Sequence, residues 1–251
     1  MSDPVTLRQL LDDAAFLSLE HQLHLGDQLG EHSWDVDLSR GRFAFRAAAE
    51  GAGPLLASSP GGELVVDRLH LLGSAAPGPR SWLWSWANPS GFAQDLTDLA
   101  RWLRDFGERH GVADLVRPEV PFAELPDGPP EALHAVGVFV DAAKAASQRW
   151  TSYNGDGGGG TRVAFLLDHP AFALPEPSGP RVLRVLLERL SGASIGDHRR
   201  AVAAYAGGRG LQQRWEAGHV GVRLAGTGFE VRVRFDERGF VAGVDAEFSP
   251  A

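Results

Sequence analysis

Cysteine is absent from the 251 residues. That excludes a thiol nucleophile, thiolate-bound zinc, iron–sulfur clusters, thioether-linked haem and disulfides. Lysine is nearly absent. Lys144 stands alone among 24 basic residues, in an Ala-rich stretch with no Gly-rich loop before it. A Schiff-base lysine or a phosphate-loop lysine therefore has one candidate, in the wrong context. Long apolar runs are missing too. The most apolar stretch, 132–140, is broken by His134 and is too short to cross a bilayer. The first residues, MSDPVTLRQLLDDAAF, are acidic and lack a basic-then-apolar export pattern. Together these features predict a cytoplasmic protein with no membrane partner. No His-Glu-x-x-His motif occurs.

What is present describes a globular chain. Hydrophobic residues are 43% and charged residues 22%, the usual balance for a packed core. The 31 glycines predict many tight turns. The bias to Arg, Ala and Gly is that of a GC-rich bacterial genome. The net charge of −8 is uneven: residues 179–251 hold 11 arginines against 8 acids, +3, which leaves −11 for residues 1–178. An acidic front disfavours nucleic acid and anionic membranes, and it favours a basic protein partner.

Residues 6–29 read as a long helix, with Leu7, Leu10, Leu11, Ala14, Leu17, Leu25 and Leu29 on one arc. Stretches 33–38 and 41–46 alternate like a hairpin turning at Ser39–Gly41, and 64–73 reads as one longer strand. A strand at 81–87 stops at Asn88–Pro89. Helices are expected over 92–108 and 131–146. Strands are expected over 149–153 and 161–169, joined by NGDGGGG at 154–160. Residues 173–179 read as a linker. Beyond it come helices over 181–190 and 198–206, the second capped by Asp197 and stopped by Gly207. Four strands follow, about 211–216, 219–224, 229–235 and 239–248. Hairpin-length connections without βαβ alternation give an α+β class: an antiparallel sheet packed with helices over 1–172, then a smaller ααββββ domain over 180–251. Continuation of the first sheet by the last strands is the alternative.

The most distinctive segment is Trp82-Leu83-Trp84-Ser85-Trp86-Ala87-Asn88-Pro89. In a strand, Trp82, Trp84 and Trp86 would stand on one face about 6.5–7 Å apart. They form either a platform for a ligand or partner, or a core row packed under helix 92–108 against Leu99, Trp102 and Phe106. The core row is the favoured reading. With Gly73 and Ser74 upstream, the pattern G-S…W-x-W-x-W-A-N-P resembles a largely actinobacterial domain family of unknown function, over about residues 10–170. That resemblance implies no assigned activity and carries over no catalytic residue. Residues 180–251 resemble no family.

Other candidates are weaker. Glu20, His24 and Asp27 share a helix face and could hold a divalent metal, although a solvated polar stripe is the favoured reading. No metal and no cofactor is predicted. Asp67, Arg68 and His70 interrupt an apolar strand. Gly155–Gly160 lacks the ending of a phosphate loop. Asp168-His169 has no serine partner. Asp197–Arg200 opens a helix that could meet an anion, but solvated charges are favoured. Arg223, Arg232, Arg234 and Arg238 interleave with acids and lack stacking aromatics, so RNA binding is not expected.

Two functions follow. The favoured one is a non-enzymatic binding or interaction protein, of immunity type or a chaperone-like adaptor, with an acidic surface. The other is a small-ligand protein or hydrolase-like enzyme. Its pocket would lie near the tryptophan strand, with acid/base groups drawn from Glu20, His24, Asp67 or His70. The residues expected at a ligand or partner are Trp82, Trp84, Trp86, Asn88, His24 and Glu20.

Overall fold

The structure, a computed structural model, describes residues 5–192 and 194–248; residues 1–4 of the N-terminal segment read above lie outside it. The class is α+β, with antiparallel sheets and seven α-helices among the described residues. The chain divides into two compact units. Among the described residues, one holds 5–7 with His21–Ala173; the other holds Arg8–Glu20 with those from Leu174 to Phe248. Helix α1, Leu7–Leu29, therefore contributes residues to both.

The first unit contains two sheets. Strands β1 (Gly30–Asp37) and β2 (Arg42–Ala52) form the expected hairpin, with Trp34 opposite Phe45 and Val36 opposite Phe43. Asp37 sets its turn by accepting the Ser39 N–H at 3.0 Å. The short helix α2 (Pro54–Ser58) returns the chain to β3 (Glu63–Val65), which pairs with β2. The stretch read as one strand over 64–73 is in fact two. Val66 donates its N–H to Phe43 of the first sheet, and Asp67 donates to Asp168 of the second. The chain thus changes sheets at Val66–Asp67, and β4 (Arg68–Ala76) begins in a different partner set. The second sheet has the order β6-β5-β4-β8-β7, with β5 at Ser81–Trp84, β6 at Glu119–Pro121, β7 at Ser152–Gly158 and β8 at Thr161–Asp168.

A core fills the space between these sheets: Leu25, Leu29, Phe43, Phe45, Leu69, Leu71, Phe165, Leu167 and Phe172. Helix α3 (Gln94–His110) adds Leu96 to it, and the small α4 (Ala113–Val116) follows. A register shift between Leu71 and Gly73 reverses the facing of β4. Leu69 and Leu71 face this core, whereas Gly73 and Ala75 lie opposite Trp84 and Trp82 on the other side. Helix α5 (Ala132–Ser147) covers that side. The glycine run expected as a connection belongs mostly to β7. Gly158 pairs with Thr161 across a two-glycine turn, Gly159–Gly160, whose φ angles are +60° and +80°. A Cβ on Gly155 would sit 2.4 Å from the Trp34 ring, so glycine is what lets the indole lie against the strand.

In the second unit, helices α6 (Gly179–Gly192) and α7 (His198–Gly208) accompany a meander of β9 (Gln212–Trp215), β10 (Gly221–Gly226), β11 (Phe229–Phe235) and β12 (Val241–Phe248). Its order is β12-β11-β10-β9, so these strands form a sheet of their own. Phe229, Val231, Val233 and Phe235 are buried while Glu230, Arg232 and Arg234 alternate outward. Asp197 caps α7 by accepting the Arg200 N–H at 3.0 Å, as expected. The helix does not stop at Gly207. It continues to Gly208, and Arg209 closes it.

Candidate functional site

The tryptophan row is shorter than its sequence suggests. Strand β5 ends at Trp84, and Ser85–Ala87 form a 3-10 turn, so Trp86 leaves the row. The turn is fixed from a distance: the Ser85 hydroxyl, itself buried, donates to the Leu71 carbonyl at 2.6 Å. Trp82 and Trp84 are fully buried. They meet edge-to-face at 5.3 Å, and Trp82 stacks on Phe139 of α5 at 4.9 Å. The helix above the row is therefore α5 rather than α3, whose Trp102 is 40% exposed. Trp84 donates its indole N–H to the Asp114 carbonyl at 3.1 Å. The buried Trp82 N–H has no protein acceptor among the described residues. Half-buried Trp86 lies under the Arg104 guanidinium at 5.3 Å. Neither Trp82 nor Trp84 can serve as a platform. Gly73 completes the packing: a Cβ there would meet the Leu83 carbonyl at 2.4 Å and the Trp82 ring at 2.7 Å.

The smaller residues of the same motif line a pocket. A partly open cavity of about 140 Å³ is bounded by Leu38, Leu71, Gly73, Ser74, Ser85, Asn88, Phe92, Gly157, Thr161 and Val163. It lies at the rim of the core between the two sheets: Leu71 belongs to that core, and Leu38, Phe92 and Val163 pack against it. No charged side chain lines it. Asn88 is held by an Asx turn, in which its Oδ1 accepts the Ser90 N–H at 2.9 Å. Its side-chain NH2 has no protein partner among the described residues. The hydroxyls of Ser74 and Thr161 likewise have no protein partner among the described residues. Of the residues read from sequence, this pocket brings together Asn88, Gly73 and Ser74. Leu38, Phe92, Gly157, Thr161 and Val163 were missed, because they come to β4 only through tertiary packing and the long-range pairing of β4 with β8.

Glu20 and His24 are elsewhere. Glu20 is fully buried inside the second unit. It accepts the Tyr205 hydroxyl at 2.9 Å and lies 3.0 Å from Arg209 Nε and 3.6 Å from Arg181 Nε. Burial, with the Glu20 charge beside it, drives the Tyr205 hydroxyl far above its ordinary pKa. This is an anchoring cluster, and Glu20 is not part of a solvated stripe. His24 is 8% exposed, and it falls in the first unit while Glu20 falls in the second. Among the described residues, no group of three His, Asp or Glu side chains is placed to hold a metal ion.

A second concavity, an open groove of about 370 Å³, takes in His21, Asp67, Arg149, Trp150, Asp168 and His169. His21 stacks on Trp150 at 6.0 Å. Asp168 ties the groove wall by accepting from Arg149 and, at 3.0 Å, from His70 Nε2. Burial lowers the pKa of His70 despite that carboxylate, so the ring is neutral at pH 7. Asp67 is exposed and unpaired among the described residues. In the second unit, Arg200 is paired with Asp13 at 2.6 Å, and Arg199 lies over Phe235 at 5.4 Å, so the helix start is already occupied by its own partners. The arginine face is likewise paired: Arg232 with Glu216, Arg223 with Glu230 and Arg234 with Asp245.

A family described as "Family of unknown function (DUF6882)" matches residues 8–170. No curated protein and no solved structure matches the chain.

Proposed function

Since the chain belongs to this family of unknown function, we propose that it is a non-enzymatic binding protein. Its first unit is built to hold a small molecule in the pocket at the end of the tryptophan strand. One observation carries the reading. The motif divides its labour, with Trp82 and Trp84 as buried struts and Gly73, Ser74, Ser85 and Asn88 lining the cavity beside them. A pocket with an apolar body and a few convergent polar groups is the usual form of a ligand site. The test is thermal-shift screening of a fragment library on the native chain and on Val163→Phe, which fills the cavity. Fragments that raise the melting temperature of the native chain should lose that effect in V163F. Hits that stabilise both equally would sink the reading.

A second reading concerns a basic protein partner, and it is favoured by the charge of −11 on residues 1–178. In the groove beside Trp150, the unpaired Asp67 and a half-buried indole suit a lysine or arginine side chain. Association with such a partner should slow steeply with added salt. Salt-independent association would remove the electrostatic basis of this reading.

A further inference from the structure

We propose that the motif pocket selects an uncharged, ring-sized molecule carrying a hydrogen-bond acceptor; this rests on the pocket reading above and names its ligand class. Size comes first. The cavity of about 140 Å³ matches the engineered apolar cavity of about 150 Å³ that holds benzene. One six-membered ring fits the cavity.

Charge comes second. Every wall residue is neutral: four large apolar side chains, Leu38, Leu71, Phe92 and Val163, face a short polar arc. An ionised group moved onto those walls would lose its hydration with no counter-charge to replace it. Carboxylates, phosphates and ammonium groups are therefore rejected.

Polarity comes third. The uncommitted groups on the arc are the Asn88 NH2 and the Ser74 and Thr161 hydroxyls. The Asn88 Oδ1 already accepts the Ser90 N–H, so the group Asn88 leaves without a partner among the described residues is its NH2 donor. The hydroxyls can add donors. Three donor-capable groups among the residues lining an apolar cavity are complementary to a carbonyl or amide oxygen, and a molecule without an acceptor would leave them unpaired. Ser85 takes no part, because its hydroxyl is committed to Leu71.

The test titrates four probes of one shape into the native chain: benzamide, benzoate, benzylamine and toluene. Binding is read from the methyl resonances of Leu71 and Val163 and from the Asn88 side-chain NH2 resonances. Benzamide should shift all of them, and benzoate and benzylamine should bind at least tenfold more weakly. Asn88→Asp keeps the oxygen that accepts from Ser90 but exchanges the donor for a second acceptor. It should weaken benzamide roughly tenfold while changing toluene less than twofold. Unfolding of the variant is excluded by an unchanged melting temperature, and Thr161→Val supplies a second donor deletion. If benzoate or benzylamine binds as well as benzamide, the selectivity proposed here is wrong while the pocket reading stands. If no probe moves the Leu71 and Val163 methyls at saturating concentration, both fall. If N88D and T161V leave benzamide binding unchanged, the donor arc is not the recognition element and the proposal is overturned.

Discussion

Trp82 and Trp84 are neighbours on one strand face, equally buried, yet they are held differently. Trp84 donates its indole N–H to a carbonyl, while the Trp82 N–H is buried without a protein acceptor among the described residues. Replacing each by Phe removes the same ring volume from the same wall. Trp84→Phe also strands the Asp114 carbonyl, whereas Trp82→Phe discards a donor that had no protein partner. Urea unfolding should show W84F less stable than W82F by about 1–2 kcal/mol. Equal losses would mean that volume alone decides. Glu20 is the opposite case, a fully buried carboxylate that accepts from Tyr205 and lies beside two arginines. Glu20→Gln should destabilise the chain by about 3–5 kcal/mol, because Arg181 and Arg209 would then face each other around a neutral amide. A loss below about 1 kcal/mol in the same unfolding assay would show that solvent reaches the cluster. At this scale the sequence was only partly legible. Asn88 could be named because Asx-Pro marks a turn. Glu20 read as surface because helical periodicity reports which face a residue shares, and cannot report what lies opposite that face.

Elements were easier to read than their partners. The hairpin of β1 and β2, helices α3, α5, α6 and α7 and the meander β9–β12 all carry local signals, and all formed within a few residues of their expected limits. The failures share a cause. The strand expected over 64–73 divides at Val66–Asp67, and the strand expected over 81–87 ends at Trp84. In both places a long-range hydrogen bond sets the end: Asp67 to Asp168, and Ser85 to Leu71. Periodicity carries no information about such bonds. Membership of α1 in two units is invisible for the same reason. That membership has a testable consequence. Asp12 accepts the N–H groups of Gly196 and Asp197, Asp13 pairs with Arg200, and Phe16 meets Tyr205 at 5.9 Å. A fragment of residues 174–251 lacks all of these, so circular dichroism and amide proton dispersion should show it unfolded. A cooperatively folded fragment would show that Arg8–Glu20 are dispensable to that unit.

Charge and burial across the whole molecule set how stability responds to pH. His70 and His198 both have pKa values lowered mainly by burial. The unfolded chain therefore takes up protons on these rings below about pH 6.5 before the folded chain does, and stability falls with falling pH. At the other end, burial raises the hydroxyls of Tyr153 and Tyr205. Unfolded tyrosine ionises near pH 10 while the folded side chains stay neutral, so stability falls again as pH rises past that point. Urea midpoints measured from pH 5 to pH 11 should trace a plateau with both limbs, and His70→Gln should flatten the acid limb. An acid limb unchanged in H70Q would remove His70 as its source and leave His198 and the carboxylates.

The order of the five-stranded sheet also sets a timetable for synthesis. Its central pair, β4 and β8, is separated by the residues between Ala76 and Thr161. At about 5–20 residues per second, a ribosome needs roughly 4–17 s to deliver the second strand after the first. During that interval β4 has emerged with apolar residues on both faces and one long edge unpaired. An unpaired apolar edge is a template for pairing with other chains. The interval ends only when β8 closes the sheet, so yield in the cell should depend on translation speed across residues 77–160 and on whatever shields that edge in the meantime.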